Sequence, residues 1–332
     1  MPMPQRKLGS GPTVGALGLG CMGMSDFYGP ADRNESLLTL DAALDAGVTL
    51  LDTGDFYGSG HNELLIAEAL RGRRREDVAL SVKFGALRDA SGGWVGYDAR
   101  PAAVKNFLAY SLKRLRTDYI DIYRPARLDP AVPIEETIGA IADAVKAGHV
   151  RHIGLSEVGA ATIRKAAAVH PIADLQIEYS LVARGIEAAI LPTCRELGIG
   201  ITAYGVLARG LISGHWSKER AAGADSRRFS PRFASENLDH NLALVEALRM
   251  VAASRGVSVA EIAVAWVLAQ GADIVPLVGA RRRAQWAESS GALALTLTPG
   301  DLEAIEQAAP KGAAKGERYP AMAMAHLDSE KG

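Results

Sequence analysis

A (β/α)8 TIM barrel is the fold this sequence predicts. Short β-like runs alternate with helical ones through most of its 332 residues, and the β-like runs number eight. Such alternation implies parallel strands joined by right-handed crossovers, and eight is the number that closes this barrel. A doubly wound open sheet is the alternative, and Gly18-x-Gly20-x-x-Gly23 has the spacing of its phosphate-binding turn. That fold also wants an acidic residue roughly 20 positions later, at the end of a second strand. Asp52 comes too late for that role, so the barrel is preferred.

The strands are expected at 16–19, 49–52, 78–82, 119–123, 152–155, 175–178, 199–204 and 274–278. Helices fill the gaps. From 33 to 46, Leu37, Leu40 and Leu44 recur at the spacing of one apolar face. Residues 62–71 repeat the pattern with Leu65, Ile66 and Leu70. Pro101 opens a helix in its first turn, where a missing N–H costs nothing, and Val104, Leu108 and Leu112 face inward. Pro133 opens the next, which ends near Gly148. Others are expected at 158–169, 185–197, 238–254 and 259–270. Residues 6–8 and 12–14 flank Gly9-Ser10-Gly11 and predict an N-terminal β-hairpin that plugs the barrel bottom. Between 205 and 235 runs a long polar loop, and a loop of that length inside a compact domain is usually functional. The expectation is one domain over 1–332 with extended βα loops, and a C-terminal tail over 310–332 that wanders across the surface.

Charged residues are 23% and the formal net charge is −1, so no basic field exists to hold nucleic acid. The clusters at 73–75 and 281–283 are local. Cys21 and Cys194 build no disulfide framework. No apolar window of about 18 residues predicts a membrane span, and the first residues have no apolar secretory segment. These observations predict a cytoplasmic protein, monomeric or homo-oligomeric, that acts on a small molecule without metal.

In such a barrel the chemistry sits at the C-terminal ends of the strands. Those ends carry Asp52, with Tyr57 just beyond, then Lys83, then the run Tyr123-Arg124-Pro125-Ala126. A tyrosine is a poor acid at neutral pH. A nearby ammonium favours its phenolate, and a carboxylate keeps the ammonium charged and aimed. Asp52, Lys83 and Tyr57 meet that demand as orienter, tuner and general acid.

Several segments resemble the aldo-keto reductase family. LLDTGDFYGSGHNELLIAEAL is similar to its signature of Asp, Tyr and a following Asn-Glu. SVKFG resembles its lysine strand, VKAGHVRHIGLSEV its fifth-strand motif and LQIEYSLVAR its sixth. ITAYGVLARGLISG resembles its phosphate-loop strand and PLVGARRRAQWAES its cofactor-gripping helix. The match runs from about residue 6 to 310. GLGCMGMSDFYG points to the branch related to potassium-channel β subunits and pyridoxal reductases.

The resemblance implies NADPH-dependent reduction of an aldehyde or ketone, with NADH a poorer cofactor. It assigns catalysis to Asp52, Tyr57 and Lys83. Gly20, Cys21 and Met22 would line the nicotinamide end, and Ser156, Glu157 and Gln176 would hold the carboxamide. Glu157 stands where many members have Asn. Tyr204 would stack on the ring. Gly205, Val206, Leu207, Arg209, Gly210 and Leu211 would wrap the pyrophosphate, so Gly18, Gly20 and Gly23 are turn geometry only. Gly279, Arg281, Gln285, Glu288 and Ser289 would meet the adenosine end, with Arg281 on the 2′-phosphate. Gln285 stands where an Arg is usual and Ser289 where an Asn is usual.

The largest departure is YRPARLDP, where the family's fourth catalytic residue, a histidine, falls on Ala126. Loss of one oxygen-directed donor can cost on the order of 100-fold in rate. It also frees room beside the carbonyl, which points to bulky or cyclic substrates such as pyridoxal-like or xenobiotic ketones. Met24, Phe27, Tyr28, Phe56, Trp94, Arg124 and Arg127 are expected to join Ala126 in the substrate wall. Two other functions compete. A Schiff-base aldolase built on Lys83 is disfavoured, because a charge-paired ammonium is a poor amine. A cofactor-holding redox sensor with negligible turnover stays open, since Ala126 weakens catalysis.

Overall fold

The computed structural model describes residues 2–217 and 226–331. Two short strands open the chain, β1 (Gln5–Lys7) and β2 (Thr13–Gly15), paired antiparallel as the expected hairpin. Leu8 and Val14 from it join Leu50, Ala79, Ile122, Val275 and Leu277 in one small apolar cluster. Leu50, Ala79 and Ile122 lie early in their strands, so the hairpin caps the N-terminal end of the barrel and leaves the other end for chemistry.

Eight strands then close a parallel barrel in the order β3 (Gly18–Gly20), β4 (Leu50–Gly54), β5 (Ala79–Phe84), β8 (Ile120–Pro125), β9 (Val150–Ser156), β10 (Ile172–Glu178), β11 (Gly200–Tyr204) and β12 (Ile274–Gly279), which pairs with β3. All eight expected strands fall on these. Between β5 and β8 lies a hairpin that the sequence did not announce, β6 (Ala86–Arg88) with β7 (Trp94–Tyr97), paired antiparallel. Only Ala86 of its strand residues is buried, so no in–out alternation betrays it.

Helices α1 (Arg33–Asp45), α2 (His61–Ala69), α3 (Pro101–Leu115), α4 (Ile134–Lys146), α5 (Ala160–Val169) and α6 (Ile190–Glu196) surround the first strands. The longer α7 (Ser235–Ser254), then α8 (Val259–Ala269), α9 (Arg283–Ser290), α10 (Pro299–Ala308) and α11 (Ala321–Met324) complete the chain. Local chemistry sets their ends. Asp32 caps α1 by accepting from the Glu35 amide at 2.7 Å. Ser258 and Glu261 form a reciprocal capping box at α8, and Thr298 and Asp301 form another at α10. The buried face of α4 (Ile134, Ile138, Ile141) packs into the main core around the barrel. Among the described residues, no single helix is long and apolar enough to cross a membrane.

The tail departs from expectation. It does not wander over the surface but crosses the C-terminal mouth of the barrel. Lys315 N–H donates to Asn241 at 2.8 Å and the Asn241 amide donates back to the Lys315 carbonyl at 2.9 Å. Farther on, the Gly159 amide donates to Asp328 at 2.9 Å and the Ser329 amide to the Glu157 carbonyl at 3.2 Å. These are specific polar anchors between partners 74 or more residues apart, and such pairings leave no local pattern in the sequence.

Candidate active site

Asp52 and Lys83 come from neighbouring strands, with Gly54 of β4 in register with Lys83 of β5. The Lys83 ammonium pairs with Asp52 Oδ1, and both residues are 4% exposed. The other carboxylate oxygen accepts from Ser81 Oγ at 2.8 Å and from Gln176 Nε2 at 2.6 Å. Burial lowers the pKa of Lys83 while the Asp52 charge opposes the fall. Three donors around one carboxylate are what a buried ion pair needs to repay its desolvation.

Tyr57 sits beyond β4 in a tight 3-10 turn, and the Lys83 ammonium lies 5.0 Å from its ring centroid. Asn62 fixes this turn. Its side-chain amide donates to the Cys21 carbonyl and to Ser25 Oγ, both at 2.8 Å, and its oxygen accepts from Thr53 Oγ1 at 2.7 Å. The phenol pKa is pushed well above 10.0, by burial first and by the Asp52 charge second, while Arg127 pulls it down. Burial thus outweighs the nearby Lys83 ammonium, and the phenol lies above its ordinary value instead of below it.

A second ion pair lies inside the barrel. Arg124 is fully buried, donates to Ser81 Oγ at 2.9 Å and stands 3.1 Å from Asp174. That contact is close but off the hydrogen-bond direction, since Arg124 Nη1 satisfies no acceptor. Thr202 donates to the same carboxylate. Burial raises the Asp174 pKa, and Arg124 opposes it. Arg124 therefore does not belong to a substrate wall: it is locked in the interior by Asp174. Met24 likewise packs into the main core at 2% exposure instead of lining the mouth.

The aromatic wall does assemble. Phe27 and Trp94 stack at 5.7 Å, Phe56 meets Trp94 edge-on at 5.6 Å, and Phe56 meets Tyr57 at 4.8 Å. The Arg88 guanidinium lies 3.9 Å over the Trp94 ring and pairs with Asp26, which pins the β6–β7 hairpin to the β3 loop. Tyr28 lies apart from this chain, and burial pushes its phenol up to about 12. Ala126 continues the strand ladder, its amide donating to Phe84 O at 2.8 Å, and is 2% exposed. The place of the missing imidazole is thus covered. Arg127 folds back to donate to the Ala126 carbonyl at 2.6 Å.

At the far side, Gly20 pairs in register with Asp52 and with Gly279. Cys21 is fully buried, with its thiol raised by burial, and Met22 follows in a 3-10 turn. Ser156 ends β9 opposite Gln176. Gln176 is committed to Asp52 in this arrangement. Glu157 has φ 53°, in the left-handed region that Asn tolerates better than Glu. Its carboxylate is fully buried and densely held. It accepts from Tyr204 at 2.5 Å, Ser329 Oγ at 2.7 Å, the Glu178 amide at 3.0 Å, and Arg318 through two nitrogens at 2.8 and 3.1 Å. Burial raises its pKa, but Arg318 dominates and holds it at about 2. Arg318 and Arg232 share Glu178, and Tyr319 meets the Tyr204 hydroxyl at 2.9 Å. Arg318, Tyr319, Arg232 and Ser329 are residues of this cluster that sequence reasoning missed, as no motif marks them, and Glu178 was passed over inside the sixth-strand motif.

After β11, Ala208, Arg209 and Gly210 have φ of 47°, 59° and 95°, and Gly205 has φ of 67°. Val206 and Leu211 bury their side chains at 2% and 1% exposure, and Leu207 packs on the core. The loop is anchored by its side chains, which leaves a tightly turned backbone at the mouth. Arg209 lies 4.2 Å over the Tyr319 ring. After β12, Gly279 is exposed. Arg281 donates to the Tyr28 carbonyl at 2.6 Å, and its amide is met by Gln285 at 3.2 Å. Glu288 accepts from His215 at 2.9 Å, and Ser289 is buried.

Residues 16–310 match the Aldo/keto reductase family. The chain belongs to that family. A probable aldo-keto reductase from Glycine max is 41% identical over 317 residues, covering 94% of this chain and 91% of that one. Among solved structures, the glycerol dehydrogenase of Gluconobacter oxydans superposes with a TM-score of 0.84 at 28% identity, over 92% of this chain and 94% of that one. An aldo-keto reductase from Bacillus halodurans, in holo form, gives 0.79 at 29% identity, over 95% and 99%. As an aldo-keto reductase the chain is an oxidoreductase acting on carbonyl and alcohol groups.

Proposed function

We propose that this aldo-keto reductase uses NADPH to reduce an aldehyde or ketone, with Tyr57 as proton donor to the carbonyl oxygen. The observation that carries the proposal is the buried Asp52–Lys83 pair set against Tyr57 at the C-terminal end of the barrel. The nicotinamide, when bound, supplies the hydride. Asp52 keeps the Lys83 charge in place, Lys83 offsets negative charge arising on the phenol, and the apolar surroundings of Tyr57 exclude water. A carbonyl oxygen within reach of Tyr57 receives its proton.

The chain fits the cofactor unevenly. The turned backbone from Gly205 to Leu211 carries the Arg209 guanidinium, which suits a pyrophosphate, while the Ala208 and Gly210 amides hold the turn by donating to Gly205 and Leu207. Arg281 favours a 2′-phosphate and hence NADPH over NADH. At the carboxamide end, Glu157 and Gln176 are engaged by Arg318 and Asp52, which leaves Ser156 as the nearest match to the family pattern. The small side chain at Ala126 favours a bulky or cyclic carbonyl, such as a pyridoxal-like aldehyde or a xenobiotic ketone, once Arg127 turns aside.

The test is loss of NADPH absorbance over a panel of carbonyls, with wild type and Tyr57→Phe. The proposal expects steady turnover by the wild type and a drop of about 100-fold or more in kcat for the variant, with NADPH binding retained. A variant with wild-type kcat would overturn the assignment. Tight NADPH binding with no turnover of any carbonyl would make the chain a redox-sensing subunit instead.

A further inference from the structure

The charges at the mouth are shared unevenly, with Arg318 alone holding Glu157, Glu178 and Glu330. Lys83 is spent on Asp52. Glu157 is taken by Arg318, and Glu178 by Arg318 and Arg232 together. Arg124 faces Asp174 in the interior. Arg127 is different. It is half-buried, its one hydrogen bond is to the Ala126 carbonyl, and among the described residues no carboxylate makes an ion pair with it. The groups that act on its charge are Tyr204, Tyr319, Glu157 and Tyr97. The phenols are neutral near pH 7, and Glu157 is shared with Arg318, which also holds Glu178 and Glu330. The Arg127 charge in turn reaches both Tyr57 and Lys83. Burial opposes the Arg127 charge but the surrounding groups outweigh it, so the guanidinium stays charged, and with no ion pair of its own it keeps donors for an incoming anion.

The cofactor phosphates are the first anion to weigh. Arg127 lies just past β8, and β8 is four strands from β12 around the eight-stranded barrel in either direction. Arg281 after β12 is therefore on the opposite side, and the loop after β11 carries a cation of its own, Arg209. That geometry leaves the substrate. One unmatched guanidinium balances one negative charge, which suits a carboxylate better than a phosphate dianion. Its planar fork also matches a carboxylate in two bonds. The aromatic chain Phe27, Trp94, Phe56 and Tyr57 offers an apolar surface between the rim and the phenol.

Resting on the carbonyl-reductase reading above, we infer that Arg127 is a specificity-determining residue that selects carbonyl substrates bearing a carboxylate on an apolar or aromatic body, pairing with that carboxylate while the carbonyl faces Tyr57. The test compares 4-carboxybenzaldehyde with its methyl ester, which keeps the ring and the aldehyde and removes the charge. Wild type, Arg127→Gln and Arg127→Lys are assayed with NADPH. A charge-assisted hydrogen bond is worth on the order of ten- to a hundredfold. The wild type should prefer the acid by at least about tenfold in kcat/KM. Arg127→Gln should erase that preference, chiefly through KM, and Arg127→Lys should restore part of it. Wild-type preference for the ester, or an acid-to-ester ratio unchanged in Arg127→Gln, overturns the inference. If neither aldehyde is reduced, the function proposed above falls, and calorimetry of the cofactor-loaded protein with 4-methylbenzoate still decides. Binding lost in Arg127→Gln supports the Arg127 assignment, whereas equal binding in both proteins overturns it.

Discussion

Removing the Arg318 guanidinium should release the tail from the mouth. In Arg318→Ala the Glu157 carboxylate keeps Tyr204, Ser329 and the Glu178 amide but loses both nitrogens of its cationic partner. Glu157 is held at about 2 against an ordinary value of 4.5. Arg318, Arg127 and Tyr204 share that depression against burial, with Arg318 the largest contributor. Loss of one partner from a buried ion pair costs about 3–5 kcal/mol. The sign follows from the depressed pKa: the stabilisation is complete above pH 4.5 and is lost as pH falls through about 2. The tail can open without the barrel unfolding, so the readout is amide hydrogen exchange over residues 318–330. At pH 7, Arg318→Ala should lose about 100-fold of the protection the wild type has there. Protection within threefold of wild type would show that the tail does not depend on this ion pair.

Three further outcomes are expected. Lys83→Met should destabilise by about 3 kcal/mol or more, because Asp52 is left charged and buried. The Asp52→Asn/Lys83→Met pair should recover much of that loss in denaturant titrations, and strict additivity would contradict the coupling. Asp55 is buried with both carboxylate oxygens unpaired, and burial, then Glu63, raise its pKa to about 8, against a weaker pull from Arg114. The folded state therefore holds a proton that the unfolded chain releases near pH 4. Stability should fall as pH rises from about 4 to 8, and Asp55→Asn should flatten this Tm profile; an unchanged slope would refute the assignment. Ala126→His fills the space at that position and should lower kcat/KM for bulky ketones relative to small aldehydes. A constant ratio would remove the space argument.

The barrel was legible because its signals are local and periodic. Each strand is a short apolar run, each helix an apolar stripe, and Pro101, Pro133 and Gly148 punctuate them. Asp52, Tyr57 and Lys83 were legible because strand ends of a barrel converge on one mouth. The β6–β7 hairpin was not, since its exposed residues carry no burial pattern. Arg124 shows the limit most sharply. At the end of a strand it reads like a mouth residue, and only its strand register and its Asp174 partner place it in the interior.

What the sequence alone determined is therefore the fold and the family, and it marked Asp52, Tyr57 and Lys83 as neighbours at one end of the barrel. The three-dimensional structure decided how the charges are shared. Arg318, from a tail with no motif, claims Glu157 and joins Arg232 on Glu178, while Asp52 claims Gln176. Such pairings join residues 54 to 161 positions apart. No periodicity encodes them, because they arise only when separate strand ends and the tail meet in one buried space.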